Sequence, residues 1–276
     1  MKKNKALVVL RITLGLVCWF LISKLYGIII DPKLEGTLPV TLRMIMAAMV
    51  IPYTLGLGAF LLVAGGISGA GFPYESEELK PGLRTIIKYF VIQTGLSFPV
   101  MVLASVVQTL AGIEPHSLTA ADLFGHVWFY VVLLLLFNPV FEELLFRKLI
   151  LNRLSCLGAR GAVICSAVLF AMPHVYSQGL PQMFFTFAAG LVWAYITIKT
   201  GKLWPAIVLH ALSNIYCAYI PMLITMIHPA LSILFVMMTM SLMLPLTIVF
   251  VTRQVNAEKN KSLGASGNDR KCNLRA

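Results

Sequence analysis

The sequence predicts an all-α polytopic membrane protein with about eight transmembrane helices around an intramembrane polar cavity. Three observations carry this. Of the 276 residues 59% are hydrophobic and only 12% charged, against roughly 25% charged in a soluble domain. Stretches such as 225–251 contain no Lys, Arg, Asp or Glu and exceed the about 20 residues that cross the hydrocarbon core. The apolar runs also lack the every-second-residue alternation of a transmembrane β-barrel.

The elements follow in order. The first span, 7–30, comes after MKKNK. Its apolar run is too long for a cleaved signal and lacks an A-x-A site, so a retained helix is expected. The second span is 40–66 and the third 85–112. Between them Tyr74–Arg84 runs from acidic to basic around Pro81, with Pro73 just before it, and reads as a cytoplasmic loop or short interfacial helix. The fourth span, 126–152, carries the run Val131–Phe141 and then Glu142 and Glu143. The fifth and sixth, 161–174 and 181–199, are short and interrupted near Pro173, Gly179 and Pro181. A helix break at membrane depth needs protein or a wet cavity to satisfy its backbone, which places a polar chamber near His174. The seventh and eighth spans are 203–224 and 229–252. From Arg253 the chain is polar and rich in Gly, Ser and Asn, the composition of a disordered segment. Residues 1–252 are therefore expected to form one transmembrane domain, and 253–276 a disordered cytoplasmic tail, with no internal repeat.

Charge orients the chain. With the N-terminus inside, the inner ends and loops hold Lys2, Lys3, Lys5, Arg11, Lys80, Arg84, Lys88, Arg147, Lys148, Arg153, Arg160, Lys199, Lys202 and the basic residues of the tail. Of the 22 basic residues only Lys24, Lys33 and Arg43 fall toward the other side. This bias predicts an even number of spans and both termini cytoplasmic. Because the basic residues lie at span ends rather than along one groove or helix face, the net charge of +11 does not indicate a nucleic-acid partner. Membrane lipids are the expected surroundings. Short basic loops without a lumenal domain point to a bacterial plasma membrane. The cysteines, Cys18, Cys156, Cys165, Cys217 and Cys272, form no CxxC or zinc spacing, and those in apolar runs read as small hydrophobes.

The chemistry-bearing residues lie inside the spans: Glu142, Glu143 and Arg147, then Phe170 and His174, then His210 and Asn214. An ionisable side chain at membrane depth costs about 2.5–3.5 kcal/mol on insertion scales, and such residues pair, line cavities or act. At about 1.5 Å per residue, Glu142 lies roughly 16 Å before Arg153, His210 roughly 12 Å after Lys202 and His174 roughly 21 Å after Arg160. Three helices thus bring polar groups to compatible depth. Residues i and i+4 share a helix face, so Glu143 and Arg147 are expected to pair, leaving Glu142 the freer carboxylate. By the same spacing His210 and Asn214 face one cavity. A desolvated carboxylate is a better proton acceptor from water, a nearby His can orient that water, and a His with an Asn can donate to the oxyanion of a tetrahedral intermediate. The set suits peptide hydrolysis with neither a serine nor a cysteine nucleophile. His116, His126 and His228 read as outer-loop or interfacial residues. Trp19, Trp128, Trp193 and Trp204 read as interface or core residues.

The three motifs, EELLFR at 142–147, FAMPH at 170–174 and HALSN at 210–214, resemble the CAAX-protease and bacteriocin-processing (CPBP or Abi) family, whose eukaryotic branch contains the Ras-converting CAAX endopeptidase. The family pattern is EExxxR, then FxxxH, then HxxxN, and all three occur in order within a core of about 120–220. The resemblance implies an intramembrane endopeptidase. Glu142 would be the general base assisted by His174. His210 and Asn214 would form the oxyanion hole, and Glu143 and Arg147, with Phe170 packed beside them, would support the site. The substrate would be a protein or peptide in or at the membrane. By family analogy a pheromone, a bacteriocin leader or another small membrane peptide is expected rather than a prenylated CAAX protein. Zinc on Glu142, His174 and His210 would be a His₂Glu set, but the chain contains no HExxH, and a metal-independent glutamate mechanism is favoured. Two other functions use the same residues differently: a non-catalytic membrane scaffold or bacteriocin-immunity factor, and a proton-coupled transporter, since intramembrane Glu and His also build proton relays.

Overall fold

The computed structural model describes residues 4–67, 79–114 and 124–273. The expectations placed on Lys2, Lys3, His116, Pro73, Arg275 and the first part of the Tyr74–Arg84 loop lie outside them. All regular structure among the described residues is helical. Six helical runs are long and apolar enough to cross a membrane: Lys5–Leu34, Val40–Ala64, Leu83–Leu110, Val127–Thr200, Trp204–Ile227 and Pro229–Ala257. The fourth is 74 residues long, which as one straight helix would reach about 110 Å. Two glycines divide it, Gly158 at φ 75° and Gly179 at φ 84°, ψ −179°. The second conformation is one that essentially only glycine adopts. The expected eight spans are thus seen as six runs, one of them subdivided. The break near His174 falls at Gly179, and the helix continues through Pro173.

We number the helices α1 (Lys5–Leu25), α2 (Val40–Ala64), α3 (Leu83–Leu110), α4 (127–153), α5 (158–178), α6 (180–200), α7 (Trp204–Ile227) and α8 (Pro229–Asn273). α8 runs past Arg253, where the composition predicts a disordered tail. α1 starts at Asn4, whose side chain accepts from the backbone N–H groups of Ala6 and Leu7, as an N-cap does. It crosses α2 closely: a Cβ on Gly15 would stand 2.9 Å from Phe60, and one on Gly56 2.7 Å from Trp19. The Arg11 guanidinium fixes the crossing by donating twice to Val63 O, at 2.9 and 2.7 Å. α3 packs on both the α5–α6 unit and α8. At the Gly179 break, the Gln108 side chain of α3 accepts from Leu180 N–H at 3.1 Å, satisfying a donor at the start of α6.

One buried cluster joins these helices, with Phe60, Phe98, Phe170, Ile150, Leu151, Ile196 and Leu209 almost wholly enclosed. The outside is apolar too. On α1, Leu7, Leu10, Leu14, Val17 and Leu21 are exposed, while Val8, Ile12, Gly15 and Leu16 are buried. A 3–4 residue apolar stripe facing outward is the surface a bilayer accepts.

Candidate active site

The site is assembled by α4, α5, α6 and α7, with α3 behind it. In α4 the backbone leaves regular α geometry twice, in wider i→i+5 turns at Leu133–Phe137 and Leu144–Ile150. Such turns recur at functional sites. Glu142 and Glu143 close the α-turn Asn138–Glu143 that lies between them.

Glu143 is wholly buried. Its Oε2 lies 3.0 Å from Arg147 Nε, and both side chains have 0% exposure. Its other oxygen accepts from His210 Nδ1 at 3.0 Å. The carboxylate therefore ties α4 internally and binds α4 to α7. The guanidinium of Arg147 also donates to Gly190 O from Nη2 (3.3 Å). It lies 4.3 Å from the ring centre of Phe170 and 5.5 Å from that of Trp193, where the aromatic quadrupole attracts a cation. Gly190 makes room for it: a Cβ there would meet both Arg147 Nη2 and the Phe170 ring at 3.3 Å.

Glu142 stands in different surroundings. Its side chain is 17% exposed, and its one ion-pair contact among the described residues is His210 Nε2 at 3.9 Å. That distance is too long for a hydrogen bond. The Tyr53 ring of α2 packs on Phe137 and Phe141 in the turns just before Glu142.

His210 is thus the hinge of the constellation. One ring nitrogen is given to Glu143 and the other faces Glu142. Because a carboxylate accepts, Nδ1 carries the proton in that contact. The pairing the spacing anticipates, Glu143 with Arg147, is present in the geometry, but the direct bond from His210 goes to Glu143 rather than to Glu142. His174 Nδ1 lies 3.0 Å from Phe170 O. A carbonyl can only accept, so Nδ1 donates and Nε2 keeps its lone pair in the neutral ring. No hydrogen bond or ion pair joins His174 to Glu142 among the described residues. His174 meets the rest of the site through Phe170, whose ring centre is 5.4 Å from His174 and 6.0 Å from His210.

Asn214 is committed in part to structure. Its Nδ2 donates to Leu134 O at 2.7 Å. That carbonyl is free for a local reason: Asn138 N–H goes to Leu133 O, and the next residue, Pro139, has no N–H to offer. Asn214 supplies the missing donor from α7, and its amide has a second hydrogen to give.

The zinc set of Glu142, His174 and His210 is not gathered. Among the described residues no three His, Cys, Asp or Glu side chains come together in a way that could hold a metal ion. Two site residues escape a sequence reading. Trp193 stacks flat on His210, with ring centres 4.4 Å apart and planes 19° apart, and Gln93 of α3 bonds to Trp193. A signal existed for Gln93, a buried amide in an apolar span, of the same kind that drew attention to Glu142.

Residues 124–216 match the family model described as Rce1-like, type II CAAX prenyl endopeptidase Rce1-like. No curated protein matches the chain, and no solved structure does.

Proposed function

The chain carries, over residues 124–216, a domain of the Rce1-like type II CAAX prenyl endopeptidase family, and from that premise we propose that it hydrolyses a peptide bond of a membrane-associated protein or peptide. The supporting observation is the difference between two adjacent carboxylates: Glu143 is enclosed, ion-paired to Arg147 and bonded to His210, while Glu142 is partly open and faces the far nitrogen of His210.

In this proposal Glu142 takes a proton from water as the water oxygen adds to the scissile carbonyl carbon. The carbonyl oxygen becomes the oxyanion, and His210 Nε2–H and the second amide hydrogen of Asn214 donate to it. His210 must then carry protons on both nitrogens, since Nδ1–H is held by Glu143. The C–N bond breaks and the proton held by Glu142 passes to the leaving amine. His174, with Nε2 open as an acceptor, orients the water or substrate. Phe170 holds both imidazoles by edge-to-face contact, and Glu143 with Arg147 fixes the frame. No step is assigned to a metal, because the residues that would hold one are not gathered. Activity is accordingly expected to survive dialysis against a zinc chelator, measured on the purified protein in liposomes.

The test is comparative peptidomics of cells carrying wild-type protein or Glu142→Gln, followed by cleavage of the candidate peptide by reconstituted protein. Peptides whose production depends on Glu142 support the reading. A folded Glu142→Gln protein that cleaves at the wild-type rate overturns it, and one that keeps the cellular phenotype favours the scaffold or immunity role.

A further inference from the structure

Gln93 lies in the middle of α3, on a helix that is not part of the matched segment, and is 1% exposed. Its amide joins two other helices. Trp193 Nε1–H of α6 donates to its Oε1, and its Nε2 donates to Leu209 O of α7 at 3.3 Å. The orientation of the amide is unambiguous, because an indole N–H can only donate and a carbonyl can only accept. Leu209 is the residue immediately before His210. Trp193, itself 2% exposed, lies face to face with the His210 ring. One amide therefore fixes both the backbone that carries His210 and the aromatic plane against which its imidazole rests.

Resting on the protease reading above, we infer that Gln93 is a positioning residue for catalysis: through Trp193 and Leu209 it sets the plane of His210, so that Nδ1–H meets Glu143 while Nε2 faces Glu142. Neither neighbouring chemistry does this. Leu would offer no polar group, and Glu would accept from Trp193 without donating to Leu209 O. With the tie removed the indole is held by packing alone, and the plane that supports the imidazole is less sharply set. The bond from His210 Nδ1 to Glu143 and the facing of Nε2 toward Glu142 together demand a ring plane set within about 10–20°, the tolerance typical of catalytic groups. Displacement of a reacting group by about 1 Å costs on the order of 100-fold in rate.

The experiment uses full-length protein in liposomes, as wild type, Glu142→Gln, Gln93→Leu, Trp193→Phe and the Gln93→Leu/Trp193→Phe double variant. Cleavage is measured with a peptide that wild type converts. Histidine side-chain ¹⁵N signals are recorded in parallel, with His210 assigned by its loss in His210→Asn. Gln93→Leu is expected to lower kcat by about 10–100-fold with KM within about twofold. Trp193→Phe is expected to fall in the same range, and the double variant to be no worse than the poorer single, the signature of one shared path. The His210 signals should shift in Gln93→Leu even without substrate. Should Gln93→Leu fail to fold, Trp193→Phe removes the same bond from the other end. Unchanged kcat in folded Gln93→Leu or Trp193→Phe, multiplying losses in the double variant, or unshifted His210 signals would each overturn the inference. A fully active Glu142→Gln overturns the protease reading instead, and the ¹⁵N arm then still decides whether Gln93 positions His210.

Discussion

Two neighbouring side chains of identical chemistry behave as different groups because of what each one touches. Glu143 neutralises a fully enclosed guanidinium and receives an imidazole N–H, whereas Glu142 keeps 17% of its side-chain surface open. Single replacements should therefore fail in different ways. Glu142→Gln is expected to insert and fold normally and to lose cleavage by about 100-fold or more, the scale of a general base. Glu143→Gln leaves Arg147 without its counter-charge, a loss of about 3–5 kcal/mol from a total stability of only about 5–15 kcal/mol. It should show first as a lowered unfolding midpoint in detergent, with activity falling as a consequence. Equal midpoints for the two variants would contradict the assignment. The Glu143–Arg147 pair was legible from i and i+4 spacing. The His210–Glu143 bond was not, since helical periodicity gives the face a residue occupies and says nothing of which face of another helix it meets.

At the scale of elements, the site is held by ties between helix backbones as much as by its charges. Pro139 withholds an N–H from α4, and Asn214 restores it from α7. Asn214→Leu should leave a buried carbonyl without its donor and cost about 1–3 kcal/mol, read as a fall in unfolding midpoint. In a Pro139→Ala background the backbone can again supply the donor, so the same Asn214→Leu change should cost clearly less. Equal costs in the two backgrounds would mean that the Leu134 bond carries no stability. The motifs place Asn214 at the oxyanion, and a polar residue in a span can equally tie helices together. Its partner is not legible in the sequence, because it depends on a proline 75 positions earlier in the chain and on a carbonyl, which no side-chain pattern displays. Gln93 and Trp193 escaped for a related reason. An aromatic residue in an apolar span is an ordinary core or interface component, an amide there signals a polar contact without naming its partner, and only the packing of α3 against α6 and α7 sets these two beside His210.

For the molecule as a whole, run length and charge carried most of the reading. Apolar stretches located the spans seen among the described residues, and the distribution of basic residues supplied an orientation. The number of crossings was harder to read, because it turns on two glycine conformations, at Gly158 and Gly179, inside one continuous 74-residue helical run. The outward stripe on α1 and its counterparts on the other helices make the protein's surface one that only a bilayer or detergent covers. Positive-inside bias predicts that reporter domains fused at the N- and C-termini report the same, cytoplasmic, side of the membrane. Opposite sides for the two fusions would require an odd number of crossings and a different placement of Lys24, Lys33 and Arg43.

The missing hydrogen at Pro139 has a consequence for descent as well as for stability. A lineage that replaces this proline relieves Asn214 of one of its two duties, and a lineage that loses Asn214 gains by losing the proline. Across a set of relatives, positions 139 and 214 should therefore change together more often than their neighbours do. Where asparagine persists without proline, its persistence would mark the share of selection that belongs to the reaction alone.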